Sequence, residues 1–271
     1  MILFAERIDA LSAAGRLGAL GVLLSSAEFL AEPGYLTDSG LMSWKVGRLR
    51  DRWLAAPPFG PALNAVLSYP QVLGVVALRG ALAAALLAGP ASFCLEPWIV
   101  VSMALASVLL SARNLMGQDG ADQMQVIIFV TLALVSVART QAAMTAGLWF
   151  IAFQGCLSYA TAGIAKLTEA GWRDGSFLTR VLGTQIYGDT ASSEFLAARP
   201  ELAKWLSRAL VAWESSFALA LALPASAVLA LLGGGVVFHC LSAKLMGLNT
   251  FLPSFIATYP AIIYCVSSRP W

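Results

Sequence analysis

Apolar residues come in long, nearly uninterrupted stretches along this chain, with short polar segments between them. A helix needs about 20 apolar residues to cross the hydrocarbon core of a bilayer. The stretches that approach this length predict about eight membrane-spanning helices, at residues 17–30, 69–88, 97–110, 123–137, 142–167, 205–223, 225–245 and 251–266. The predicted fold class is therefore all-α, a polytopic transmembrane helical bundle.

Composition agrees with a membrane protein and excludes other classes. Hydrophobic residues make up 59% of the 271 residues and charged residues 12%, whereas about a quarter of a soluble domain is charged. The net charge is +2, and no basic run with interleaved aromatics could follow a phosphate backbone, so no nucleic-acid partner is predicted. Because apolar stretches run through the whole chain, residues 1–271 are interpreted as a single transmembrane domain in contact with membrane lipid.

Two polar segments are longer than a simple turn. Segment 35–68 combines tryptophan with basic residues at helical spacing, which is typical of an amphipathic helix in the headgroup region; these residues are Trp44, Lys45, Arg48, Arg50, Arg52 and Trp53. Segment 168–204 is the longest polar connection, and connections of that length are often functional. We expect an interfacial helix after the first span and a site for a peptide or protein partner at 168–204.

Lys166 lies at the end of the fifth predicted span. Tyr159, Gly163 and Lys166 share one face of this helix, and small residues on such a face let a neighbouring helix approach closely. A lysine held between helices away from water gives up its proton more easily and can serve as a base. The alternative is a lysine that extends from the span end to the membrane surface.

Three further polar residues lie in or beside predicted spans. His239 is the only histidine, and it either takes part in chemistry or joins two helices by a hydrogen bond. Glu214 is a lone carboxylate in an apolar helix, so it is protonated or meets a cation such as Lys166 or Arg79. Asp119 precedes the fourth span, where it caps the helix or lines a cavity. Without a second histidine or a metal-ligand pattern, no metal is predicted.

Three segments resemble the vitamin K-dependent gamma-carboxylase-like, or HTTM (horizontally transferred transmembrane), family. Tyr159-Ala-Thr-Ala-Gly-Ile-Ala-Lys166-Leu followed by Trp172-Arg-Asp-Gly is similar to that family's aromatic-x-x-Ala-Gly-x-x-Lys-Leu…Trp-x-x-Gly stretch. Phe-His239 with Met-Gly-Leu-Asn249-x-Phe downstream resembles its Phe-His helix. Arg113-Asn-Leu-Met-Gly-Gln-Asp-Gly looks like its Arg-Asn…Gly-x-Asp segment. In order, these segments cover nearly the whole chain.

The resemblance implies a mechanism. In the carboxylase branch an intramembrane lysine deprotonates a naphthohydroquinone, oxygen adds to give an epoxide and a strongly basic alkoxide, and that base removes a glutamyl γ-proton so that CO2 can add. Lys166 stands at that lysine. The implied cofactor is a reduced quinone, menaquinone or vitamin K hydroquinone, and the implied location is a bacterial inner membrane. His239, Asp119 and Glu214 would orient substrate or stabilise charge, and the substrate-binding residues would be Tyr159, Gly163, Trp172, Arg113, Asn114 and Asn249.

The chain also departs from carboxylases. Their Asn-His segment before the fourth span reads Gln118-Asp119-Gly120 here. Carboxylases carry a large extramembranous domain after the spans, whereas Trp271 follows closely on the last predicted span. We therefore expect chemistry on a quinol-like or other hydrophobic substrate that modifies a peptide or lipid, in place of glutamate carboxylation.

Three functional hypotheses follow. An enzyme requires a lipid-accessible cavity that touches Lys166 and His239 together. A non-catalytic membrane partner, such as an immunity-type accessory protein for a secreted peptide, predicts that no such cavity exists and that Lys166 is paired to Glu214 or to lipid headgroups. An exposed patch on segment 35–68 or 168–204 would then contact the partner. A DoxX-like quinone-linked membrane subunit shares Ala-Gly-x-x-Lys-Leu but lacks the Phe-His span.

Overall fold

The computed structural model describes residues 6–50, 56–114 and 119–269. Every regular element in these ranges is helical, which confirms the predicted all-α class. The α-helices are α1 Arg7–Ala31, α2 Trp44–Arg50, α3 Gly60–Leu67, α4 Val72–Ala88, α5 Pro97–Arg113, α6 Gly120–Ala138, α7 Gln141–Thr168, α8 Ala170–Arg173, α9 Ser176–Leu182, α10 Thr190–Ala197, α11 Pro200–Ser216, α12 Ala225–Met246, α13 Phe251–Ile256 and α14 Tyr259–Ser267. The 3₁₀ helices are Pro33–Leu36, Ala91–Leu95 and Phe217–Ala222.

Helix length decides which elements can cross a membrane. By length and composition, 4 helices of the described residues are long and apolar enough, namely α1, α6, α7 and α12. The pair α3 and α4 gives a fifth if it forms one span, although its two helices meet at an angle of 74°. Helix α5 and the segment Phe251–Ser267 are apolar but shorter. The described helices thus include four or five candidate membrane spans, a number compatible with an integral membrane protein.

The first span is longer than the sequence pattern predicts. Helix α1 begins at Arg7, well before residue 17, and continues to Ala31. Its two early arginines have partners outside the helix: Arg7 donates to Thr145 Oγ1 at 2.7 Å and Arg16 donates to the Gly89 carbonyl at 2.6 Å. Because the arginines are paired inside the bundle, they do not end the helix, as a hydropathy pattern alone would suggest.

The sixth predicted span, 205–223, combines two different elements. Helix α11 runs from Pro200 to Ser216, and the chain then tightens into the 3₁₀ helix Phe217–Ala222. Leu223 precedes a proline and adopts an extended conformation, as the proline ring demands. Arg269 donates to the carbonyls of Leu221 and Leu223, each at 2.5 Å, and so satisfies backbone groups that the helix end leaves free.

The predicted interfacial helix corresponds to several short elements. Segment 35–68 contains α2 and α3, while Arg52 and Trp53 lie outside the described residues. Trp44 is only 1% exposed, and its indole donates to Asn64 Oδ1 at 2.7 Å. The tryptophan therefore joins α2 to α3 inside the protein, since its N–H finds a protein partner instead of a lipid headgroup.

Helix α7 is the central element around which the candidate site is built. It packs against α6, α11, α14 and α1. Small residues permit these close contacts: a side chain at Gly155 would strike Thr258, and one at Gly163 would strike the backbone of Ser215. Helix α1, which contacts α7, also packs against α4, α13 and the 3₁₀ helix Ala91–Leu95. The largest apolar core is formed mainly by residues from α1, α7 and the helices that pack against them.

Substitution of Gly163 by alanine should loosen the contact between α7 and α11. The added methyl would lie against the Ser215 backbone amide and 2.8 Å from the Glu214 carbonyl carbon, so one helix must shift. Overpacking of this kind costs about 1–3 kcal/mol. We expect Gly163→Ala to lower the thermal unfolding temperature in detergent.

Gly233→Ala is the matched control. Gly233 lies within α12 and no atom comes within 4 Å of the added methyl. Alanine favours a helix over glycine by about 1 kcal/mol, so this variant should unfold at the same or a higher temperature. Equal effects of the two substitutions would contradict the close helix contact.

Candidate functional site

An ion pair joins the C-terminal turn of α7 to the last turn of α11. Lys166 Nζ lies 2.9 Å from Glu214 Oε1 and 2.6 Å from Oε2, so the ammonium contacts both carboxylate oxygens. The lysine side chain is 19% exposed and the glutamate side chain 3%. Gly163 lies one turn before Lys166 and lets the two backbones approach. The pair is therefore largely shielded from water, where charge–charge attraction is strong.

Two turns before Lys166 on the same face of α7, Tyr159 forms a second polar contact. Its hydroxyl lies 2.7 Å from His239 Nε2 on α12 and 2.9 Å from the Tyr259 hydroxyl on α14. Gly235, one turn before His239, leaves room for the Tyr259 ring. His239 is 1% exposed, and its Nδ1 has no hydrogen-bond partner among the described residues. Three helices are thus tied together by side chains that also carry transferable protons.

Aromatic rings hold this polar group in place. Tyr159 stacks on Phe217 with ring centroids 4.2 Å apart, and His239 stacks on Phe255 at 4.7 Å. Phe251 stacks in turn on Phe255 at 5.8 Å. Because interlocked rings have few alternative rotamers, the orientations of Tyr159 and His239 are fixed before any ligand arrives.

A cavity of about 310 Å³ connects the ion pair to the imidazole. Lys166, Glu214, Tyr159 and His239 all line it, and the rest of its wall is mainly apolar. The remaining lining residues are Ser158, Ala162, Trp172, Leu178, Val181, Leu182, Leu210, Phe238, Ser242, Met246, Leu248, Phe251 and Phe255. The cavity touches Lys166 and His239 together, which is the arrangement that the enzyme hypothesis requires.

The 168–204 connection is folded and covers one side of this cavity. Its helices α8, α9 and α10 pack against one another and on α11. Leu182 and Leu196 form a small apolar core with Ala203. Trp172 is anchored by a hydrogen bond from Ser207 Oγ to its carbonyl at 2.5 Å, and its ring centroid lies 5.3 Å from Lys166 Nζ. We call residues 170–197 the lid.

Two aspartates cap turns of the lid. Asp174 accepts a hydrogen bond from the Ser176 amide at 2.9 Å, and Asp189 accepts one from the Ser192 amide at 2.8 Å. These hydrogen bonds lower the pKa of each carboxyl group below its ordinary value. The stabilisation is therefore present at neutral pH and is lost as pH falls through the lowered pKa values.

Other predicted site residues lie elsewhere. Asp119 caps α6 by accepting from the Asp122 amide at 2.8 Å, which is the capping alternative. Arg113 is fully buried and donates to the carbonyls of Leu36 and Met42. Gly117 and Gln118, between Arg113 and Asp119 in the motif, lie outside the described residues. Neither Asp119 nor Arg113 lines the Lys166 cavity.

Asn114, Asn249 and Gly163 are also absent from the cavity wall. Asn114 lines a separate, water-sized cavity of about 20 Å³ with Arg79. Asn249 Nδ2 lies 3.4 Å from a carboxylate oxygen of Glu28. Gly163 acts as the packing point between α7 and α11. Of the predicted residues, the cavity brings together Lys166, Glu214, His239, Tyr159 and Trp172.

Sequence reasoning missed the aromatic rings that pack on Tyr159 and His239. Trp213 and Phe217, like Phe251 and Phe255, are spaced four residues apart, which places each pair on one helix face. Such pairs are most often ordinary core residues, so their spacing alone does not distinguish a site from packing. The contact of Tyr259 with Tyr159 joins residues one hundred positions apart, and no local pattern predicts it.

Comparison with protein-family models, with curated proteins and with solved structures gives no match. The described residues contain no group of three or more His, Cys, Asp or Glu that could hold a metal ion.

A double-mutant cycle tests the ion pair. Lys166→Met and Glu214→Gln each leave one member without its partner, and loss of one partner of a buried pair costs about 3–5 kcal/mol. We expect each single variant to unfold at a lower temperature in detergent and the double variant Lys166→Met/Glu214→Gln to recover most of the loss. Strictly additive effects would contradict a direct interaction.

Proposed function

We propose that this chain is a membrane enzyme of the vitamin K-dependent gamma-carboxylase-like family, in which Lys166 is the base acting on a quinol-like or other hydrophobic substrate. The observation that carries the proposal is the cavity bordered at once by the Lys166–Glu214 pair and by His239. The location that goes with this function is a bacterial inner membrane, and the acceptor would be a peptide or lipid.

The cavity suits the ring of a reduced quinone. Its volume of about 310 Å³ lies at the lower end of small-molecule sites, roughly 300–1,000 Å³. Flat aromatic side chains form much of the wall, and its ionisable and hydrogen-bonding groups include the Lys166–Glu214 pair and the Tyr159–His239 contact. The unpartnered His239 Nδ1 is a buried polar atom that a ligand oxygen would satisfy. A quinol bound here would supply an ionisable hydroxyl and the electrons that reduce oxygen.

Glu214 lets Lys166 act as a base. A lysine works as a base only when it is neutral, and the short contacts to Glu214 give its proton a place to go. Transfer of that proton to the carboxylate converts a charged pair into a neutral amine and a neutral acid, without moving net charge through the apolar interior. The amine then accepts a proton from a hydroxyl in the cavity.

Tyr159 and His239 act beside this pair. When Tyr159 donates to His239 Nε2, it can accept from Tyr259, so the imidazole is held with Nδ1 protonated. His239 then becomes a hydrogen-bond donor toward negative charge that develops on a ligand oxygen. Tyr159 is a positioning residue, because its hydroxyl fixes the tautomer and orientation of the ring.

The proposal includes about eight spans, which adds α5, α11 with its 3₁₀ extension and the segment Phe251–Ser267 to the longer helices. Helix α5 has 17 residues, a length of about 25 Å, which crosses most of a hydrocarbon core of about 30 Å. The proposal also places α2 at the membrane interface. Exposed Val46 and Leu49 beside Lys45 support that placement, since apolar and basic groups meet at the headgroup level.

The Lys166–Glu214 contact is also the observation that favours a second function. A non-catalytic membrane partner of a secreted peptide or protein needs the pair only to hold α7 and α11 together. The lid, which presents Ile186 at 81% exposed and Tyr187 at 49%, would then contact the peptide or protein. The two functions differ in whether the cavity turns over a ligand.

An assay of quinone epoxidation distinguishes the enzyme from the non-catalytic partner. We expect purified protein in lipid nanodiscs, given reduced menaquinone and oxygen, to form the epoxide. Lys166→Met should lower the rate by about 100-fold or more, the usual contribution of a general base. Lys244→Met is the control, because Lys244 is an exposed lysine on α12 that does not line the cavity.

Folded wild-type protein that forms no epoxide, with and without bicarbonate, would contradict autonomous quinol chemistry. Retention of the wild-type rate in Lys166→Met would contradict the role of this lysine. The first result would favour the partner function, to be tested by cross-linking from Ile186, whereas the second would leave an enzyme that uses a different base.

A further inference from the structure

A second, larger cavity lies beside the Lys166 cavity. It is a groove of about 560 Å³ between the lid, α11 and α12. Its lining is apolar except for the hydroxyls of Ser192 and Ser242, and it contains no charged side chain; the lining residues are Leu178, Leu182, Ala191, Ser192, Phe195, Leu196, Leu206, Leu210, Phe238, Leu241, Ser242, Leu245 and Met246. We call this cavity the groove.

The groove and the Lys166 cavity share part of their walls. Six residues border both, namely Leu178, Leu182, Leu210, Phe238, Ser242 and Met246. The two cavities are therefore adjacent, and a single ligand that occupies both must pass between these side chains. We call this shared wall the neck.

The outer rim of the groove is exposed and apolar. Phe195 on the lid, Leu206 on α11 and Leu241 on α12 line the groove and are 49%, 46% and 50% exposed. Helix α12 is also the least buried of the four long candidate spans: 28% of its most apolar stretch is buried, compared with 44% or more for α1, α6 and α7. Exposed apolar residues on a spanning helix face lipid tails, so the groove opens sideways toward the bilayer.

We propose that the groove holds the hydrocarbon tail of a membrane-dissolved amphiphile whose polar head lies against Lys166 and His239. This inference rests on the proposed function, because it assumes that the Lys166 cavity receives a ligand. The polarity of the two spaces matches one molecule of this class: ionisable side chains line only the Lys166 cavity, and the groove is lined by carbon apart from the hydroxyls of Ser192 and Ser242.

Other occupants fit the groove less well. A peptide would bury backbone N–H and C=O groups against a wall whose side-chain polar groups are two serine hydroxyls, which leaves most of them unsatisfied. A hydrocarbon chain has no such groups. Because the tail leaves lipid and not water, transfer itself contributes little to binding. The groove instead selects ligands that carry a tail and fixes the orientation in which the head enters.

The test uses a photoreactive probe, 2-methyl-1,4-naphthoquinone with an alkyl chain that ends in a diazirine. In nanodiscs we expect cross-links in α10 and α12, at residues of the groove such as Phe195 and Leu241, and competition by unlabelled menaquinone. Cross-links spread evenly over lipid-facing helices, or unaffected by menaquinone, would overturn the proposal.

Substitutions on α12 that do or do not fill the neck give a matched pair of variants. Ser242 is 7% exposed and borders both cavities, so Ser242→Phe should reduce groove cross-linking at least tenfold. Cys240 is an exposed free cysteine on the same helix and lines neither cavity, so Cys240→Phe should cross-link like wild type. Ala191→Trp narrows the groove from the exposed lid and gives a second test if Ser242→Phe does not fold. Unchanged cross-linking in both groove variants would refute the tail site.

Epoxide formation from tailed and tailless quinols separates the two proposals. Groove cross-linking without any epoxide would uphold the tail site and refute the quinol chemistry. Epoxide formed equally well from menaquinol and from tailless menadiol, in wild type and in Ala191→Trp alike, would refute the tail site and leave the function standing. We expect Ala191→Trp to lower the rate with menaquinol at least tenfold more than it lowers the rate with menadiol.

Discussion

The contact between Lys166 and Glu214 is the interaction on which the site depends. A carboxylate that is 3% exposed inside an apolar bundle is tolerated only when a cation or a proton neutralises it. The lysine reaches it because Gly163 allows α7 and α11 to approach closely. The same approach places Tyr159, two turns earlier on α7, against Phe217 at the start of the 3₁₀ helix. Neutralisation of Glu214 and close helix packing therefore both require that α7 and α11 lie side by side.

From that pair the remaining parts of the site follow in order. Tyr159 holds His239 and Tyr259, so α12 and α14 are positioned by hydrogen bonds to α7. The cavity lies beside Glu214, and the lid covers it with Trp172, Leu178 and Leu182. The result is a polar inner end joined to an apolar groove. A water-poor cavity of this form favours proton transfer between neighbouring groups over exchange with solvent.

The sequence predicts the polar members of the site but not its walls. Lys166, Glu214 and His239 are conspicuous because ionisable groups are rare within apolar helices. The pattern leaves Lys166 and Arg79 as alternative partners of Glu214, and only the fold decides: Arg79 donates to Ser25 and Ser26 on α1. Asp119 is equally conspicuous yet caps a helix. The hydropathy pattern does not predict the helices of the lid. A helix as short as α9 has too few residues to show a helical repeat of apolar positions, and it is stabilised by packing on α11.

Solid-state NMR in lipid bilayers tests the central pair most directly. With 15N in the lysine side chains and 13C in the glutamate carboxyl groups, the dipolar coupling reports the separation of Lys166 Nζ from the Glu214 carboxyl carbon. The structure predicts a strong coupling, consistent with Nζ–oxygen distances of 2.6 and 2.9 Å, that disappears in Glu214→Gln. A Lys166 signal with no coupling to Glu214, and with the shift of a solvated ammonium, would contradict both the pair and the base chemistry built on it.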